Sequence, residues 1–78
     1  MRMISTKVFQ KMFHRLLEER HMNVKEIADY LSISQQAVYR WLHGETIPSI
    51  DTMLCLADLF SLEVADLIPV VELPDKEH

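Results

Sequence analysis

Residues 35–43 read Gln-Gln-Ala-Val-Tyr-Arg-Trp-Leu-His, a set of side chains suited to reading flat, hydrogen-bonding surfaces. A glutamine amide offers a donor beside an acceptor and can pair bidentately with adenine N6/N7. An arginine offers two parallel donors to guanine O6/N7. On a helix turning 100° per residue, Gln35, Gln36, Tyr39, Arg40 and His43 fall within an arc of about 140°, while Ala37, Val38, Trp41 and Leu42 share the rest. The polar arc holds no carboxylate and no lysine. Solvated helix faces ordinarily carry Glu and Lys, so a base-facing surface is a better reading of this arc than a merely solvated one. Trp41 falls on the apolar side and is expected in the core.

The elements that must hold this segment are legible on either side. Residues 7–21 form a first helix, with Phe9, Met12, Phe13, Leu16 and Leu17 on one stripe and Lys11, His14, Arg15, Glu18 and Glu19 opposite. Asn23 is a candidate N-cap for a second helix over 24–31, with Glu26 as its capping-box partner. Ser32-Ile33-Ser34 breaks that helix, Ser34 caps the third over 35–43, and Gly44 stands where a left-handed residue ends it. Pro48 keeps Ile47 out of helical geometry. Ser49 caps a fourth helix over 50–60, whose apolar residues run most of the way round and predict a central, buried position. A fifth helix over 64–68 stops at Pro69. Val70 to Leu73 is too short to assign, and the chain shows no alternating apolar pattern longer than four residues. Two helices of about two turns joined by three residues must cross steeply. That is a helix-turn-helix unit, in which the first helix braces on the backbone and the second enters the major groove.

The expected fold is therefore all-α: an arm over 1–6, a five-helix domain over 7–68 and a tail over 69–78. Seventy-eight residues support one small core. A single cysteine excludes a disulfide framework and a cysteine-pair zinc module. No apolar run approaches the roughly 20 residues of a membrane span, and a reducing cytoplasm is the expected compartment. Net charge is −4, unevenly spread: residues 1–45 hold seven Lys/Arg and five Asp/Glu, residues 46–78 one and seven. A polyanion-facing N-terminal half and a solvating C-terminal half fit that split.

The ordered set Ile27-Ala28, Ser32-Ile33-Ser34, Gln35 to Trp41, Gly44, Ile47-Pro48-Ser49 and the apolar run from Thr52 to Ile68 resembles the Cro and lambda-repressor-like, or XRE, helix-turn-helix family over roughly residues 10–68. The resemblance implies a compact five-helix bundle that binds operator DNA as a symmetric dimer. Carried onto this chain, it implies base contacts from Gln35, Gln36, Tyr39 and Arg40. It implies phosphate contacts from Asn23, Val24 and Lys25, and from Ser34, His43 and Thr46. Two positions depart from the pattern. Family members often bury an Arg–Glu pair where this chain has Leu17 and Leu42, and exchanging a buried ion pair for packed apolar groups can be neutral or stabilising. The two leucines are thus expected to meet. Glu45 replaces the basic residue frequent after the glycine, and a carboxylate there repels phosphate.

The functional expectation is a transcriptional regulator, a repressor, reading a pseudo-palindromic operator. One reading head contacts few bases, so a homodimer with heads about 34 Å apart is expected. Its contacts are placed at Ile68, Val70, Val71 and Leu73. No catalytic constellation, glycine-rich loop or cofactor motif is present, so neither an enzyme nor a small-molecule effector is expected. His14, Glu18 and His21 share a helix face but lack a fourth ligand, so they read as solvated surface rather than a metal site. Cys55, among apolar neighbours, reads as a buried, inert thiol. The competing reading is a protein-interaction module, such as an antitoxin or an adaptor, motivated by the negative charge and Glu45.

Overall fold

The computed structural model describes residues 1–73, and residues 74–78 of the expected tail lie outside them. Five α-helices and one strand pair make up the described residues: β1 (Arg2–Ile4), α1 (Thr6–Arg20), α2 (Val24–Leu31), α3 (Gln35–Leu42), α4 (Ile50–Phe60), α5 (Val64–Leu67) and β2 (Val70–Glu72). The helices stand within one residue of their expected bounds, and each of the first four begins on a side chain that satisfies an orphan N–H. Ser34 Oγ accepts from Ala37 N–H at 3.2 Å and Ser49 Oγ from Thr52 N–H at 3.3 Å. Asn23 and Glu26 form the reciprocal capping box, with both hydrogen bonds at 2.9 Å.

The ends of the first four helices share one device. His21, Ser32, Gly44 and Ser61 all adopt left-handed backbone. The next residue then donates back across the turn: Met22 to Leu17 O (3.0 Å), Ile33 to Ala28 O (3.0 Å), Glu45 to Arg40 O (3.0 Å) and Leu62 to Ala57 O (2.8 Å). This six-to-one bond satisfies a terminal carbonyl. Met22, Ile33 and Leu62 also pack against the core, which offsets the steric cost of a side chain in the left-handed region. After α3 the corresponding residue is Glu45, which is exposed, and there the left-handed position is glycine.

Phe13 sits at the junction of three helices. Its ring lies 5.5 Å from Phe9 within α1, 5.7 Å edge-on from Trp41 of α3 and 6.5 Å edge-on from Phe60 of α4. Such aromatic pairs add about 0.5–1.5 kcal/mol each beyond burial. α1 and α2 pack on α3, and α5 on α4. Leu17 and Leu42, the two positions that depart from the family pattern, are both buried in the one core cluster. Arg20 lays its guanidinium 5.6 Å from the Phe60 ring centre. Among the described residues, no helix is long and apolar enough to cross a membrane.

Three features differ from expectation. Residues 2–4 of the expected arm and 70–72 of the expected tail form an antiparallel ribbon, pairing Arg2 with Glu72, Met3 with Val71 and Ile4 with Val70. Ser5 N–H donates to Pro69 O at 2.9 Å at its base, and Ser5 Oγ caps α1 by accepting Val8 N–H at 3.2 Å. The fourth helix is not buried all round: Ile50 and Leu54 are 58% and 50% exposed. Cys55 is exposed rather than buried. α4 packs its Met53, Leu56, Ala57 and Phe60 side inward, and one face of an eleven-residue helix on the rim is left for solvent.

Phe13→Ala is expected to cost about 3–5 kcal/mol, the range for emptying a buried aromatic site, and to leave little cooperative transition in urea. Ser61→Gly is expected to stabilise by about 1 kcal/mol by removing the left-handed strain while keeping both closing hydrogen bonds. The same denaturation curve, read for a higher midpoint at unchanged slope, checks it.

Candidate nucleic-acid interface

α3 divides cleanly. Val38, Trp41 and Leu42 are buried, and Gln35, Gln36, Tyr39, Arg40 and His43 beyond its end are exposed. Among the described residues, the side chains of Gln35, Gln36 and Arg40 make no hydrogen bond or ion pair, so their donors and acceptors are uncommitted. Tyr39 and His43, one turn apart, stack with ring centres 6.1 Å apart. This forms an aromatic shelf beside the three polar groups. The structure thus brings all four expected base-contacting residues onto one open face.

The far end of this helix is fixed by α1 through contacts that the sequence reading missed. The Leu42 carbonyl, left without an intrahelical donor near the terminus, accepts Gln10 Nε2–H at 2.8 Å and lies 3.0 Å from His14 Nε2. Because a carbonyl can only accept, Nε2 carries the proton in this contact. His14 is therefore more than the solvated residue its angular position suggested. Gly44, with φ +76, completes the clamp. A Cβ there would stand 2.7 Å from Gln10 Oε1. Glycine is favoured twice over, by backbone sign and because a side chain here would push the Gln10 amide aside.

The expected phosphate-contacting groups fall into two sets. Around the start of α2, Asn23 spends its side-chain oxygen on Glu26 N–H, and Val24 is half-buried against the core. Helix geometry leaves the Val24 and Lys25 N–H groups without intrahelical acceptors, an arrangement suited to an anion. Lys25 is exposed, but its ammonium bonds Asp29 Oδ2 at 2.7 Å. The hydrogen bond to Asp29, and then its charge, hold Lys25 above its ordinary pKa. Phosphate must compete with that partner. In the second set, Ser34 is occupied as the α3 cap and Thr46 donates to Ile47 O at 3.3 Å. His43 Nδ1 is 3.9 Å from Glu45 Oε2. Glu45 thus lies beside the reading face, the one carboxylate contact of that shelf.

A face of this kind, on the second of two short crossing helices, defines a helix-turn-helix protein. The profile of the helix-turn-helix family HTH_3 matches residues 13–67, and the chain belongs to that family, as the XRE resemblance implied. The chain is 22% identical over 68 residues to a protein of Methanothermobacter thermautotrophicus named as an HTH-type transcriptional regulatory protein. That match covers 87% of this chain and 22% of the relative. The fold also matches the crystal structure of a transcriptional regulator from Listeria innocua, with a TM-score of 0.74 and 28% identity over 88% of this chain and 64% of that one. The chain therefore spans about one fifth of the curated relative and just under two thirds of the solved one.

Gly44→Ala is expected to destabilise by about 1–2 kcal/mol from the left-handed backbone alone, with the Gln10 contact adding to it. Pairing it with Gln10→Ala separates the two: relief of part of the loss in the double variant, by chemical denaturation, measures the steric share.

Proposed function

We propose that this chain is the DNA-binding unit of a transcriptional regulator, with α3 laid in the major groove and acting as a repressor by occluding its site. The observation that carries this reading is the open α3 face: Gln35, Gln36 and Arg40 exposed, uncommitted, and free of carboxylates on their own helix. In this reading Gln35, Gln36 and Arg40 meet base edges, with Tyr39 beside them for apolar contact to a thymine methyl or the sugar. Asn23, Val24 and Lys25 at the start of α2 take one phosphate run. Ser34, His43 and Thr46 flank the other. A few side chains specify few base pairs, so a two-fold pair of heads on a pseudo-palindromic site is part of the proposal. The C-terminal segment from Ile68 to Leu73 supplies the dimer contact.

Electrostatics set the affinity in this scheme. Lys25 is shared with Asp29, and Glu45 opposes phosphate, so the net number of neutralised phosphates is small and salt dependence shallow. In vitro selection from a random duplex pool is expected to return a pseudo-palindrome. On that duplex Arg40→Ala should lose about 1–3 kcal/mol and its preference at one base pair per half-site. Equal binding by wild type and by a Gln35→Ala, Gln36→Ala, Arg40→Ala variant would remove the reading head. Failure to retain any duplex at low salt, with a co-purifying protein instead, would favour the interaction-module reading. Glu45→Gln and Asp29→Asn should each tighten binding at low salt and steepen the dependence of log affinity on log salt. The steepening should stay within about one phosphate equivalent, measured by fluorescence anisotropy between low and moderate salt.

A further inference from the structure

His43 stands at the edge of the α3 face with its two ring nitrogens in different company. The ring stacks on Tyr39, with centres 6.1 Å apart. Nδ1 lies 3.9 Å from Glu45 Oε2, and both side chains are open to solvent. Nε2 has no hydrogen-bond partner among the described residues. A neutral imidazole carries one N–H and one lone pair, whereas an imidazolium carries two N–H groups. With a carboxylate at Nδ1, a second anionic oxygen at Nε2 leaves the neutral ring one donor short. Each neutral tautomer points its lone pair at one of the two oxygens, and only the charged ring donates to both. The other charged and titratable groups on the packed elements are engaged elsewhere or stand clear. On α1, His14 meets the Leu42 carbonyl through Nε2, and Lys11, Arg15 and Glu18 are exposed. On α2, Lys25 pairs with Asp29, and Glu26 accepts the Asn23 N–H. Arg40 lies one turn back on α3 itself. Among the described residues, Glu45 is the one carboxylate within ion-pair distance of His43.

We propose that duplex binding by this head takes up a proton at His43, so that DNA is held more tightly as the pH falls. The proposal rests on the DNA reading above and adds its regulation. A phosphate oxygen at Nε2 is the second acceptor, and Glu45 at Nδ1 is the first. While His43 is neutral, Glu45 leaves this flank with a negative charge that repels phosphate. Once His43 is protonated the pair is neutral, and Nε2–H donates to the phosphate in a charge-assisted hydrogen bond. A lysine at position 45 would attract phosphate at any physiological pH. The Glu45–His43 pair does so only with a proton aboard. The sign follows from linkage: the bound state holds the proton more tightly than the free state. Affinity is therefore fully present where His43 is already charged. It is lost as the pH rises through the range in which histidines discharge, between about pH 5 and 8.

The test is fluorescence anisotropy of the full chain on the duplex returned by random-pool selection, at fixed ionic strength, from about pH 5.5 to 7.5. Wild type is expected to weaken about two- to fivefold per half-site across that range, the worth of one exposed ion pair. His43→Gln should flatten the profile. His43→Lys should also be flat, at the tighter level. Glu45→Gln should make it shallower, because the competing acceptor is gone. His14→Gln, His21→Gln and His78→Gln should each keep the wild-type slope, whatever they do to affinity. Calorimetry in two buffers of different ionisation enthalpy should show proton uptake on binding for wild type and none at this site for His43→Gln. Circular dichroism should show the same helix content throughout, and if His43→Gln loses helix, His43→Asn repeats the test. A pH-independent wild-type affinity, or a slope that the His43 variants leave at its wild-type value, would overturn the linkage and leave the reading head standing. No duplex retained at any pH would overturn both.

Discussion

The placement of the end of α3 depends on one backbone carbonyl. Leu42 O receives donors from Gln10 and His14, both on α1, and the missing side chain at Gly44 makes room for the first of them. The other fixed point is the Phe13 ring, edge-on to Trp41. A helix of eight residues is too short to hold its own shape or angle in water. Packing of Val38, Trp41 and Leu42 fixes its roll, and the Leu42 clamp fixes its end. The outward residues need no contacts of their own to be well placed, which leaves them free for a ligand.

The electrostatic layout follows the same division of labour. α3 keeps carboxylates off its open arc, yet the flanks do not. Asp29 holds Lys25 at 2.7 Å, and Glu45 stands near His43. An exposed pair of this kind contributes little to folding, so its main consequence is for whatever approaches. A polyanion must displace Asp29 and tolerate Glu45. In the proposed complex with DNA, base-edge contacts would therefore carry a larger share of the binding than in a head flanked by free cations, and a poor sequence match would be less well compensated by the backbone.

The helices were legible because their signals are local. Asn23 with Glu26, Ser34, Ser49 and Gly44 mark ends within four residues of the groups they satisfy, and the 3.6-residue stripes of α1 and α3 are clean. The burial of Trp41 was legible for the same reason. What escaped was set by tertiary placement. Gln10 and His14 sit on the polar side of their helix, and only the position of α3 gives them Leu42 O. Strands of three residues are shorter than the alternation that reveals a strand, and their pairing spans the chain from Arg2 to Glu72. Cys55 was misread because composition around α4 shows its apolar content but not which side the bundle leaves open. The family pattern legible in the order of motifs was the same one that the profile matches.

The missed ribbon and the missed clamp lie on one path. β1 leads through Ser5, whose N–H is tied to Pro69 and whose hydroxyl starts α1. α1 then carries Phe9 and Phe13 into the core and Gln10 and His14 to the end of α3. No hinge or loop intervenes between the ribbon and the Leu42 carbonyl, only a cap and about two turns of helix. An anchor at the ribbon would therefore fix the attitude of α3 through stiff elements. In the proposed dimer, two heads held that way would meet DNA at a set separation rather than by search, because the ordering cost would already be met in the free protein.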